Sequence, residues 1–150
     1  MPTYSEIRPS PYKPEQLFQM VMDIERYPQF LPWCRAARIL EQTPEFMVGE
    51  LVVSFKQLTE RYTSKITPIR GGRIPEIHVE LVRGPFKKLS NHWKFEPRDD
   101  GGSNIHFFIE FEFKTKLLDH LIGAFFGKAQ EKMVHAFTDR ADKLYGWDTC

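Results

Sequence analysis

The chain has 150 residues, 41% of them hydrophobic, enough for a single domain (residues 1–150) with one sizeable core. Its 21 basic and 20 acidic residues leave a net charge of +1, so DNA is not an expected partner and any RNA contact would need a local patch. Two cysteines, Cys34 and Cys150, make neither a disulfide framework nor a metal ribbon. The first residues lack a signal-peptide pattern and no apolar run nears the ~20 residues of a bilayer span, so a cytoplasmic location is expected.

Thr3 to Arg8 alternates weakly against Pro9 and Pro11 and predicts a short edge strand. Pro14 can open a helix, and Leu17, Phe18, Met20, Val21 and Ile24 keep helical spacing until Pro28 interrupts. Tyr27 to Trp33 is too proline-rich for a long helix and too aromatic for a solvated loop, so one tight helical turn is expected there. Period-two alternation then runs through Ala36–Glu41, Phe46–Phe55, Leu58–Ile69, Ile74–Arg83, Lys87–Glu96 and Asn104–Lys114. In the last of these Ile105, Phe107, Ile109, Phe111 and Phe113 share one face. Leu117 to Tyr145 places apolar residues at steps of three and four, the pattern of a long amphipathic helix that needs an apolar surface to lie on. The order β-α-α-β-β-β-β-β-β-α, rich in hairpins, predicts an α+β fold: a curved antiparallel sheet wrapped around its own last helix.

Following the hairpins inward places Tyr62, Ser64 and Asn91 on the otherwise apolar inner face. Buried polar groups cost about 1–3 kcal/mol each unless bonded, so either the helices satisfy them or they stand in a cavity. His78, His92 and His106 fall on the outer face with no zinc spacing, and surface histidines are expected, not a metal site. Cys34 has no His or Asp in recognisable relation to it, and Glu110 and Glu112 are expected to meet Lys88 and Ser90 across the outer ladder. Arg140 interrupts the apolar stripe of the long helix, which calls for a buried anion or a ligand head group. The adjacent phenylalanines of Leu121–Gly127, between two glycines, suggest a soft segment able to gate a cavity or touch a membrane surface.

Tyr27-Pro28-Gln29-Phe30-Leu31-Pro32-Trp33-Cys34 resembles the signature of the coenzyme Q-binding proteins within the START-like, polyketide-cyclase superfamily. So do Gly84-Pro85-Phe86-Lys87-Lys88-Leu89 with Asn91, Trp93 and Phe95, then Phe111-Glu112-Phe113, then Met133, Ala136-Phe137 and Arg140. Ser90 and His92 depart from it, being less charged than that family's residues there. The resemblance implies a helix-grip fold, seven strands gripping a long carboxy-terminal helix around a hydrophobic tunnel. It also implies a non-catalytic protein that binds ubiquinone or its isoprenoid tail in support of respiration, with no covalent cofactor. Its bacterial branch, named ribosome-association toxins, makes the ribosome the alternative partner, reached through Lys56, Lys65 and Lys88 on the exposed sheet face. A tunnel of this kind would be lined by Leu51, Val53, Tyr62, Ser64, Val79, Asn91, Trp93, Phe107, Ile109, Phe125 and Phe126. Phe30, Leu31 and Trp33 would form one wall, aimed by Pro28 and Pro32, and Arg140 would stand ready for a head group.

Overall fold

Each stretch of period-two alternation is a strand in the computed structural model, which describes residues 3–31, 33–55, 58–70, 72–117, 120 and 126–146, with the side chains of 55, 58 and 126–129 left out. The strands are β1 (Thr3–Ser10), β2 (Cys34–Gln42), β3 (Met47–Phe55), β4 (Leu58–Ile69), β5 (Glu76–Arg83), β6 (Phe86–Pro97) and β7 (Ser103–Phe113). Helix α1 covers Pro14–Met22, a 3-10 turn covers Ile24–Gln29, and helix α2 covers Phe126–Tyr145. The strands form one antiparallel sheet in the order β1-β7-β6-β5-β4-β3-β2. From β2 to β7 every neighbour in sequence is a neighbour in space, whereas β1 pairs β7 from Thr3↔Glu110 to Ser10↔Ser103. β1 runs two residues past the expected end because a proline costs nothing on an edge strand whose N–H would face outward.

α1 opens with Pro14 at its first position, and Lys13 N donates to Gln16 Oε1 at 3.0 Å. It ends two residues before the expected Ile24, where Asp23 leaves the helical region and the chain tightens into the 3-10 turn. Tyr27 ties that turn down, its hydroxyl donating to Val21 O and its carbonyl accepting from Leu31 N at 2.9 Å. α1 packs on β5 and β6, the 3-10 turn on β2, and α2 on α1 and β1. Leu17, Phe18, Met20 and Val21 of α1 and Val134, Phe137 and Ala141 of α2 meet Ile66, Ile77, Trp93, Phe95, Ile105 and Phe107 in the main core. Each fully buried side chain of this kind stabilises the fold by roughly 1.5–3 kcal/mol. Phe86, Leu89, Phe111 and Phe113 form a second cluster on the inner face. Leu144, the last apolar residue of the predicted stripe, is 42% exposed and stands outside both clusters.

Candidate functional site

Between the main core and the second cluster the inner face does not close, and a cavity of about 100 Å³ remains. Its floor is the sheet: Gly49, Leu51 and Val53 of β3, Tyr62, Ser64 and Ile66 of β4, Ile77 and Val79 of β5, Leu89, Asn91 and Trp93 of β6, and Ile109 of β7. The registers Gly49↔Ser64, Leu51↔Tyr62, Ile66↔Val79 and Asn91↔Ile109 make these residues cross-strand neighbours on one face. Met133 and Phe137 of α2 form the roof. Val21, Ile24, Tyr27, Leu31, Trp33 and Cys34 form the remaining wall. None of these lining residues is charged.

Nine of the fourteen expected site residues therefore meet at one cavity: Trp33, Leu51, Val53, Tyr62, Ser64, Val79, Asn91, Trp93 and Ile109. Phe107 is not among them; it is 2% exposed and fills core against Tyr4 and Trp93. Phe30 packs edge-on against Phe137 and Tyr27, with ring centroids 5.1 and 5.9 Å apart, so the wall is made by its neighbours Leu31 and Trp33. Arg140 lies away from the cavity and has no buried anion among the described residues. Its Nη2 donates to Gln29 Oε1 at 2.9 Å and its guanidinium lies 5.2 Å from the Phe30 ring centre. Phe125 and the side chain of Phe126 fall outside the described residues, as do 121–125 of the expected gate. Leu117, the first residue of the expected long helix, is 68% exposed.

Cys34, Tyr27, Met133 and Phe137 are lining residues that the sequence reading did not assign to the site. The first two sit inside the proline-rich signature, and the last two belong to the α2 stripe, so both stretches were visible and only their aim was not. Gly49 had a signal of its own, a glycine inside a strand, which marks a close approach. A Cβ there would overlap Ile24 Cδ1. Gly84, at φ +154°, plays the same part behind Tyr62: a Cβ would stand 2.6 Å from Tyr62 Cβ.

The polar groups of the cavity are neutral and held so by burial. Desolvation raises the Tyr62 phenol well above its usual range, with a smaller contribution from Cys34. Desolvation likewise raises Tyr27 and pushes the Cys34 thiol up to about 11, against a weaker opposing hydrogen bond to Ala36 O. Asn91 is fully oriented: Oδ1 accepts from Trp93 Nε1 at 3.2 Å and Nδ2 donates to Phe108 O at 2.8 Å. The hydroxyls of Tyr62 and Ser64 have no hydrogen-bond partner among the described residues, although Ser64 is 3% exposed. A thiol protonated at neutral pH is a poor nucleophile. Among the described residues the cavity thus presents hydrogen-bond donors set in apolar walls, without a charge or an activated nucleophile.

The family described as polyketide cyclase / dehydrase and lipid transport matches residues 10–138. The chain is 44% identical over 135 residues to a protein of Rickettsia prowazekii named ribosome association toxin RatA, covering 89% of this chain and 92% of that one. It is 32% identical over 147 residues to the mitochondrial coenzyme Q-binding protein COQ10 homolog B of Xenopus laevis, covering 95% of this chain and 59% of that one. The fold recurs in a START superfamily protein from Mycobacterium smegmatis at a TM-score of 0.78 and 18% identity, over 95% of this chain and 98% of that one.

Proposed function

The chain belongs to the polyketide cyclase / dehydrase and lipid transport family, and from that premise we propose that it binds, without transforming, a neutral apolar ligand whose polar head only accepts hydrogen bonds. A quinone with an isoprenoid tail, ubiquinone in the first instance, has this chemistry. One observation carries the reading: an uncharged cavity holds two hydroxyls, Tyr62 and Ser64, with no partner among the described residues. A quinone carbonyl satisfies such donors, whereas a carboxylate or phosphate head would be buried without a counter-charge, at a cost of several kcal/mol. Catalysis is disfavoured because no general acid–base pair lines the cavity among the described residues and burial keeps Cys34 protonated.

A volume of about 100 Å³ is below the roughly 300–1,000 Å³ of typical ligand sites, so binding must be coupled to opening. Met133, flexible and on the roof, and Trp33, half-buried on the wall, are the side chains whose displacement enlarges it at least cost. Extraction of the protein from its host into organic solvent, followed by mass spectrometry, tests the reading. A co-purifying quinone is expected; recovery of no lipid, with no thermal shift on adding ubiquinone, would refute it.

A second reading, association with the ribosome, is favoured by the name of the Rickettsia prowazekii relative, which matches over 89% of this chain. Its test is the sedimentation profile of ribosomal subunits with excess protein. Unchanged subunit joining removes it. Contact with a membrane surface remains a third proposal, resting on the exposed Leu117; no described helix is long and apolar enough to cross a bilayer.

A further inference from the structure

Of the lysines expected to face a ribosome, Lys88 is not free on the outer sheet face. Lys88 is paired with Glu110 and Lys87 lies 3.8 Å from Glu112, so these two lysines are met by carboxylates across the ladder. Lys65 lies over the Phe46 ring, 4.6 Å from its centre, and Lys56 falls outside the described residues. The arginines differ. Arg38↔Glu50 and Glu50↔Thr63 are successive cross-strand partners, and a register shift between Thr63 and Ser64 brings Arg83 opposite Thr63, which carries the row Arg38–Glu50–Thr63–Arg83 over β2, β3, β4 and β5. Arg61, two residues before Thr63 on β4, faces the same way.

Glu50 is 8% exposed, and its Oε1 lies 2.9 Å from Arg38 Nε and 3.9 Å from Arg61 Nε. Both contacts engage Nε. The described ion pairs and hydrogen bonds leave the terminal nitrogens of these two side chains, which are 63% and 67% exposed, unengaged. One buried carboxylate thus holds Arg38 by a hydrogen bond and attracts Arg61 by charge alone, while both side chains stay largely exposed to solvent, and holding a guanidinium beforehand lowers the ordering cost of binding. Arg83 has no carboxylate partner among the described residues. Within the row three guanidinium groups stand against one carboxylate, a local excess of positive charge in a chain whose total charge is +1.

We infer that this row is a docking surface for the phosphate backbone of RNA, which deepens the ribosome reading above and rests on it. Arg38 and Arg83 stand three strand spacings apart, roughly 14 Å. A single small anion cannot reach both; a chain of phosphates can. Arginine presents two parallel donors to each phosphate, the geometry favoured for backbone contacts.

The test compares wild type, the triple variant Arg38→Ala/Arg61→Ala/Arg83→Ala, and Lys87→Ala/Lys88→Ala at the lysines met by carboxylates. Each is measured for co-sedimentation with purified ribosomal subunits, for affinity to protein-free ribosomal RNA over a salt series, and for binding to phosphatidylglycerol vesicles. The single variant Arg83→Glu leaves both partners of Glu50 in place and guards against a folding defect in the triple. The triple variant should bind subunits and RNA at least tenfold more weakly, with a plot of log affinity against log salt flatter by about 2–3. Arg83→Glu should weaken binding too, while the lysine variant keeps wild-type affinity. Wild-type binding by the triple variant, a loss confined to vesicles, or subunit binding without RNA binding would each overturn the row assignment while sparing the ribosome reading. Failure of the wild type to bind either subunits or RNA would remove both.

Discussion

The indole N–H of Trp93 donates to the side-chain carbonyl of Asn91, two residues earlier on the same face of β6 and 3.2 Å away. Asn91 passes the interaction on to Phe108 O at 2.8 Å, so a polar amide on an apolar face is used on both sides. Asn91→Leu keeps a side chain of similar size but orphans the Trp93 N–H and the Phe108 carbonyl. A loss of about 1–3 kcal/mol is expected in denaturant unfolding of the ligand-free protein. Unchanged stability would mean that water replaces the amide.

Tyr62 should behave in the opposite sense. Its hydroxyl has no partner among the described residues, so Tyr62→Phe removes an unmet donor from an apolar setting. The ligand-free protein should be as stable as wild type or slightly more so, while ubiquinone affinity falls by roughly tenfold, the worth of one hydrogen bond. Fluorescence quenching by the quinone and a denaturation curve on the same sample check both halves. Equal affinity in the variant would show that the phenol does not meet the head group.

Trp33 and Phe137 line the same cavity with different burial, and truncation should separate them. Phe137 is 2% exposed and touches Tyr27, Phe30 and Trp93 at centroid distances of 5.0–5.4 Å. Phe137→Ala should cost roughly 3–5 kcal/mol. Trp33 is only half-buried, and its backbone carbonyl, which accepts from Ser54 N at 2.8 Å, survives the substitution. Trp33→Ala should therefore lose less stability than Phe137→Ala while quinone binding falls sharply. A Trp33→Ala protein that unfolds as readily as Phe137→Ala, or binds quinone normally, would remove Trp33 from the wall.

The contrast between these residues shows what could be read from the chain. Alternation fixes the face of a strand residue, which is why Ser64, Asn91 and Val79 were placed inward correctly. It does not fix depth along the strand. Phe107 and Ile109 are equivalent by parity, yet Phe107 lies under Tyr4 and Trp93 where the core is full, and Ile109, two residues on, reaches the cavity. Helical spacing has the same limit: Met133 and Phe137 face the cavity, whereas Arg140, one turn later, turns out to Gln29. In the signature segment the prolines announce a bend that aims Phe30, Leu31 and Trp33 together, but only Leu31 and Trp33 reach the cavity, because after the 3-10 turn Phe30 packs on Phe137. The arginine row was invisible because its members come from three separate hairpin registers, one of them shifted by a bulge between Thr63 and Ser64.

All five tyrosines are raised above the ordinary phenol range, each for a local reason. Burial, aided by Glu6, lifts Tyr4 to about 12. The hydrogen bond to Asp142 Oδ1, 2.5 Å away, together with burial lifts Tyr12 to about 12. Desolvation raises Tyr27, Tyr62 and Tyr145. In the unfolded chain a tyrosine titrates near 10. A pKa raised on folding means that the native state holds its proton longer, so the stabilisation is fully present below about pH 10 and is lost as pH rises through the folded values near 12. Phenolate absorbance should therefore stay flat past pH 10 and then rise in one cooperative step together with loss of near-ultraviolet circular dichroism. Tyr12→Phe, which removes one of the coupled protons, should make stability fall less steeply with pH over that window. A tyrosine that ionises near pH 10 while the dichroism is intact would show that at least one phenol is more open to water than its packing implies.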